Sequence, residues 1–199
     1  MLQLNNRNNS FSEIGRLAGV EATDWSWGAL ITDLDNDGWK DIYVANGIYQ
    51  DLTDQDFLTY IGDKETMKKI IRKDGIDYDA LIAAIPSNAV SNYAFRNEKG
   101  LKFSNQATSW GLGQESFSNG SAYADLDNDG DLDLVVNNVN MPLFLYENLS
   151  DQQYPERHYL KLALEGNEKN PMAIGAQIRL YQGENVQYLE QMPMRGFQS

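Results

Sequence analysis

Alternating apolar and polar positions dominate the chain. Trp25 to Thr32 and Phe117 to Ala124 each open aromatic-x-x-Gly and continue with the every-second-residue pattern of a half-buried strand. Short runs rich in β-branched and aromatic residues follow at Asp41 to Ala45 and Asp133 to Asn137, which predicts a second strand after each. Further strands are expected at Tyr93 to Asn97, Leu101 to Phe103, Pro142 to Asn148, His158 to Glu165, Ile174 to Leu180 and Val186 to Glu190. Leu2 to Asn5 is expected to enter a hairpin that turns at Asn6 to Asn9. Residues 51–86 break the pattern with helical spacing. Thr53-x-x-Asp56 predicts a capping box, and Asp63 and Asp77 predict two further caps. Gly75 and Pro86 are expected stops; the first helix runs through Phe57, Leu58, Tyr60 and Ile61, the second carries Met67, Ile70 and Ile71 on one face, and the third turns Leu81, Ile82 and Ile85 inward.

The strand pattern repeats. Asp33 and Asp125 lie 92 residues apart, and an ungapped shift of that length carries Phe11-Ser12 onto Phe103-Ser104. It also carries Gly19-Val20 onto Gly111-Leu112, and Trp25-Ser26-Trp27-Gly28 onto Phe117-Ser118-Asn119-Gly120. An internal repeat of strand, turn and strand with Gly and Asn punctuation predicts stacked β units. The helical stretch reads as an insertion that lengthens the period.

Between the paired strands of each copy lies D-x-D-x-D-G-x-x-D: Asp33, Asp35, Asp37, Gly38, Asp41 in the first, and Asp125, Asp127, Asp129, Gly130, Asp133 in the second. Carboxylates at alternate positions of a tight loop converge on one centre and repel each other unless a cation sits there. Oxygen donors at this density suit Ca2+. The Gly permits the sharp turn. The seventh position, Trp39 or Asp131, is expected to offer its backbone carbonyl, so its side chain is free to vary; the ninth, Asp41 or Asp133, closes the cage. An EF-hand does not fit: position twelve is Val44 or Val136 where a bidentate Glu is needed, and a strand follows instead of a helix.

The net charge of −13 disfavours binding to phosphate backbones, and no basic run offsets it. Cysteine is absent, which excludes disulfide staples and thiolate metal sites. No apolar run reaches membrane-spanning length. Met1 to Asn6 lacks the features of a signal peptide, so an export signal is expected upstream or already removed. His158 is the one histidine, and no G-x-S-x-G is present, so nucleophile–base arrangements are nearly absent and the chain reads as non-catalytic. Trp25 and Trp27 lie two apart on one strand face; they read as packing residues, with sugar stacking as the alternative. Asn46, Asn137, Asn138 and Asn140 read as turn residues.

The run from Phe117 to Val136 resembles an FG-GAP (VCBS-type) repeat, as in integrin α-chain propellers. That resemblance implies a calcium-binding β-propeller. It implies Asp33, Asp35, Asp37, Trp39 (backbone) and Asp41 as one ligand set, and Asp125, Asp127, Asp129, Asp131 (backbone) and Asp133 as the other. The tail, from His158 through Ala173-Ile174-Gly175-Ala176-Gln177-Ile178 to Arg195-Gly196-Phe197-Gln198-Ser199, resembles the start of an ASPIC/UnbV domain. That domain follows FG-GAP-type repeats in cartilage acidic protein and many bacterial surface proteins.

The expected architecture is therefore mainly β. Residues 1–150 form propeller blades with a helical insertion at about 51–86, and 151–199 form the truncated start of the ASPIC/UnbV-like β segment. Two or three blades' worth of strand cannot close a ring, so further blades or another copy must cover the open edges. The expected function is non-catalytic recognition or adhesion, with two structural Ca2+ ions and a protein or glycan ligand. No nucleic acid and no membrane insertion are expected, and the location is extracellular, cell-surface or periplasmic. The alternatives are an accessory domain of a secreted carbohydrate-active enzyme and an architectural spacer of a large surface protein.

Overall fold

The computed structural model describes residues 1–72 and 75–194. It is mainly antiparallel β structure in several separate sheets, with short helices between them. A hairpin of β1 (Gln3–Asn5) and β2 (Phe11–Glu13) leads through α1 (Gly15–Ala18) to β3 (Ser26–Thr32) and β4 (Asp41–Asn46). The insertion holds α2 (Gln55–Gly62), α3 (Lys64–Ile70), a minimal hairpin of β5 (Ile71–Arg72) and β6 (Gly75–Ile76), and α4 (Tyr78–Ala83). Next come β7 (Val90–Ser91), β8 (Tyr93–Asn97), β9 (Phe103–Asn105), β10 (Glu115–Ser116), β11 (Ser118–Ala124), β12 (Asp133–Asn138), β13 (Phe144–Tyr146) and α5 (Ser150–Gln153). The tail closes with the hairpin β14 (Gln177–Gln182) and β15 (Asn185–Glu190).

Two sheets carry the repeat. One is four-stranded, in the order β3-β4-β8-β9; the other is three-stranded, β11-β12-β13. The 92-residue shift superposes β3 on β11, β4 on β12 and β2 on β9, bound for bound. It also carries the irregularity between Ser26 and Gly28 onto the one between Ser118 and Gly120. Among the described residues no sheet closes on itself.

Every residue of β4 is buried, because both faces of the first sheet are covered at this strand, although β3 leaves one face exposed. On one face Leu30, Tyr43, Ala45 and Ala94 meet Leu134, Val136, Phe144 and Tyr146 of the second sheet, with Ala107, Trp110 and Leu112 filling the edge. On the other, Ile42, Val44 and Phe95 pack with Leu2, Val20, Tyr93 and Phe103. Leu30 and Val136 are fully buried and contribute about 1.5–3 kcal/mol each. The second sheet is covered on one face only: Leu134 and Val136 are buried, while Leu145 is 63% exposed.

The two sheets also meet through polar groups. Ser26 Oγ donates to Asn46 Oδ1 at 3.0 Å, and the same pair recurs as Ser118 Oγ to Asn138 Oδ1 at 2.7 Å. Buried Asn92 joins them: its Oδ1 accepts from Asn46 N, and its Nδ2 donates to Ser118 Oγ. Asn46, expected to serve a turn, is instead buried and bonded to Asn92, while Asn138, also buried, does serve the turn after β12, its Nδ2 donating to Pro142 O at 2.8 Å. Gly47 sits where the two sheets cross. Its φ is 132°, and a Cβ there would lie 2.8 Å from Phe117 Cα, so only glycine fits.

Several expectations change. Asp54, not Thr53, caps α2 and accepts from Phe57 N at 2.8 Å. Thr53 is held instead by Asp51, whose Oδ1 accepts from both its N–H and its hydroxyl. Asp63 and Asp77 cap α3 and α4, as their spacing predicts. Helix α3 ends at Ile70, and Gly75 lies in β6 rather than at a helix stop. Phe57 and Ile70 are buried, but Ile82 is half exposed, so α4 packs less deeply than its apolar spacing implies. His158 to Glu165 forms no strand. It has no partner strand and instead drapes over the second acidic loop. The Tyr159 ring lies against Gly130, where an added Cβ would fall 1.8 Å from a ring carbon. Pairing in the tail starts at Gln177, later than the alternation from Ile174 suggests. Arg195 to Ser199 lie outside the described residues.

Candidate metal centre

Each acidic loop joins the first two strands of its sheet. Asn36 and Asn128, with φ of 53° and 66°, and Gly38 and Gly130, with φ of 87° and 96°, make the same left-handed turns in both. Aspartates then tie the loop to its own amides. Asp33 accepts from Asp37 N at 3.1 Å and Gly38 N at 2.8 Å, and Asp37 accepts from Trp39 N at 2.9 Å. In the second loop Asp127 accepts from Asp129 N at 3.3 Å and Asp129 from Asp131 N at 3.1 Å.

This folding brings together one carboxylate oxygen each from Asp33, Asp35 and Asp37, all within 4.8 Å of one another. Asp125, Asp127 and Asp129 converge likewise. The ninth-position residues are not members of these mutual triplets, though Asp41 feels the charges of Asp33 and Asp35, and they do the same job in each copy. Asp41 accepts from Leu34 N at 2.9 Å and Asn97 N at 2.8 Å. Asp133 accepts from Leu126 N at 2.9 Å and Asn148 N at 2.9 Å. They clamp the loop entrance to the last residue of the third strand in the first copy and to the segment just after it in the second. The seventh positions differ: Trp39 is 40% exposed, whereas Asp131 is fully buried.

Sequence reasoning passed over the asparagines that complete each clamp. Asn97 Nδ2 donates to Lys40 O, and Asn148 Nδ2 to Leu132 O, which are equivalent carbonyls under the repeat shift. Asn148 also donates to Leu34 O at 2.8 Å, so one side chain spans both loops. The signal was present: an aromatic-charged-Asn run closes the third strand of the first sheet, Phe95-Arg96-Asn97, and spans the end of the third strand of the second, Tyr146-Glu147-Asn148.

Protein cations offset part of the charge. Arg96 Nε lies 3.0 Å and Arg157 Nη1 3.3 Å from Asp35 Oδ2, and Arg157 also donates to the Asp35 carbonyl. Lys161 Nζ lies 3.1 Å from Asp125 Oδ2 and holds that carboxyl below the usual range. The compensation is incomplete. Asp37 Oδ2 and Asp125 Oδ1 are shielded from water and accept no hydrogen bond. Burial pushes Asp33 up to about 6, against the amides of Gly38 and Asp37. Burial likewise pushes Asp41 up to about 7, against the amides of Asn97 and Leu34. A donor set of converging, partly orphaned carboxylate oxygens fits a hard divalent cation, which would supply the missing positive charge.

Comparison with known proteins bears on the tail. A family model described as ASPIC and UnbV matches residues 166–199, so that stretch is similar to this family; the match starts after both acidic loops. No curated protein matches the chain.

The raised carboxyls set a pH dependence. Asp33 and Asp41 titrate near 6 and 7 when folded and near 3.9 when unfolded, so the folded state binds extra protons in between. The stability they contribute is fully present below pH 4 and is lost as pH rises through 6 and 7. In EDTA the unfolding midpoint should therefore fall between pH 5 and pH 8, and saturating Ca2+ should flatten that fall. Urea unfolding at a series of pH values measures it; a midpoint that climbs over this window in EDTA would contradict the assignment.

Proposed function

We propose that the chain is a calcium-stabilised recognition module built of FG-GAP/VCBS-like propeller blades. It works outside the cytosol and binds a protein or glycan without catalysis. The observation that carries the reading is the twin loop: the same turn, the same clamp and the same converging triplet occur in both copies. Asp33, Asp35 and Asp37, with the Trp39 carbonyl, would hold one Ca2+. Asp125, Asp127 and Asp129, with the Asp131 carbonyl, would hold the other. Asp41 and Asp133 keep each loop closed around its ion. Millimolar calcium outside the cytosol fills loops of this strength.

Stacking supports the blade reading. Leu34 in the first loop is 8% exposed because the second unit covers it, and its carbonyl accepts from Asn148 and Ser150. Its counterpart Leu126 is 52% exposed, as is much of the outer face of the second sheet. A further blade, or another copy, would cover that face as the second unit covers the first. At the end of β3 away from the loops, Trp25 and Trp27 are 41% and 39% exposed, and Trp27 Nε1 donates to Gly47 O. Their rings are the surface offered to a glycan or an apolar protein side chain.

Calcium at ~100 times its Kd stabilises a fold by about 2.7 kcal/mol per site. Thermal unfolding in EDTA and in ~1 mM Ca2+ should show a higher midpoint with calcium. The rise should shrink in Asp33→Asn and again in Asp127→Asn. No rise in the unmodified chain would sink the calcium reading. For recognition, the calcium-loaded chain on a glycan array should lose its signal on Trp25→Ala; binding unchanged by that substitution would move the ligand site elsewhere.

A further inference from the structure

The second loop carries an acidic cluster that its twin lacks. Asp129, Asp131 and Asp151 each place a carboxylate oxygen within 4.8 Å of the other two. Asp151 is in α5, outside the repeat motif, and its backbone N–H donates to Asp131 Oδ2 at 3.1 Å. The equivalent of Asp131 in the first copy is Trp39, so the first loop cannot build this group.

Two observations set the cluster apart from a solvated acidic patch. Asp131 has no exposed surface, and its second oxygen, Oδ1, accepts no hydrogen bond. Asp151 Oδ1 is likewise shielded and without a partner. Elsewhere the protein answers its carboxylates with its own cations: Arg96 and Arg157 at Asp35, and Lys161 at Asp125. Among the described residues no Lys or Arg pairs with Asp129, Asp131 or Asp151. A buried carboxylate with an unanswered oxygen, facing two others, requires either a cation or a proton.

We propose that Asp129, Asp131 and Asp151 form a separate site for a hard divalent cation, Ca2+ in the setting argued above, at the junction of the second loop and α5. Asp129 is shared with the loop triplet and would bridge the two ions, as carboxylates do between cations about 4 Å apart. Asp131 then has a side-chain role beyond the backbone carbonyl expected of the seventh position. The ion would tie the end of the second sheet to the segment that leads into the tail.

The site needs Asp151, which the loop site does not, and this makes it testable by counting. The chain is dialysed against ~1 mM Ca2+, and bound calcium per chain is measured by mass spectrometry. Asp151→Ala should lose one ion relative to the unmodified chain. Asp127→Asn should lose a different one, and the double variant should lose both. Circular dichroism checks folding, and Asp131→Asn serves as a second probe of the same ion. A calcium count unchanged by Asp151→Ala overturns the proposal and leaves a shared proton as the way the cluster is relieved. Loss of the same single ion in all three variants also overturns it, since one cation would then serve both groups. If Asp151→Ala loses an ion and Asp127→Asn does not, the junction site stands and the reading of the second loop fails.

Discussion

Repulsion between carboxylates gathered at one end of two stacked sheets is the constraint to which the rest of the structure responds. Two unit charges 4.8 Å apart repel by about 3–4 kcal/mol at an effective dielectric near 20, and each loop holds three such charges. The loops cannot spread to relieve it. Asp41 and Asp133 fasten their entrances to Asn97 at the end of β8 and to Asn148 just beyond β13, and Asn148 fastens the two loops to each other. A fold that pins its own acids together in this way needs positive charge there. Arginine, lysine and protons provide some of it, and a bound cation would provide the remainder.

The loops in turn define the strands. Each one reverses the chain between an outer strand and an inner strand of its sheet, in the first copy between β3, with one buried face, and the wholly buried β4, so the loop fixes which residues face the core. The register that follows puts Tyr43 and Ala45 on one face of β4 and Ile42 and Val44 on the other. The far ends of the sheets are held by a different chemistry, the neutral Asn and Ser network around Asn92. One unit therefore stacks on the next through charge at one end, amide and hydroxyl groups at the other, and apolar side chains between.

What could be read from the sequence was whatever repeats. The 92-residue shift located β2, β3, β4 and their counterparts because loop ligands, turn glycines and strand alternation are local patterns. The clamp asparagines were harder to see. Asn97 and Asn148 lie at different distances from their loops, since the helical insertion separates β4 from β8 but only a short turn separates β12 from β13. The alternation in His158 to Glu165 was real, yet a strand exists only where another strand accepts its hydrogen bonds, and none lies beside this segment among the described residues. Burial of Asp131 could not be foreseen, because it depends on α5 folding back over the loop. The similarity of residues 166–199 to the ASPIC and UnbV family agrees with the resemblance seen in the tail.

The most direct test of the central claim is to locate the ions. Crystals grown with Ca2+ or soaked in a lanthanide would give anomalous density at each bound cation. The account predicts one peak among the carboxylates of Asp33, Asp35 and Asp37 and another among those of Asp125, Asp127 and Asp129. The expected distances are ~2.3–2.6 Å from their oxygens for Ca2+. Loops free of anomalous density, with Arg96, Arg157 and Lys161 still holding their aspartates, would show that side-chain cations and protons suffice and would contradict it.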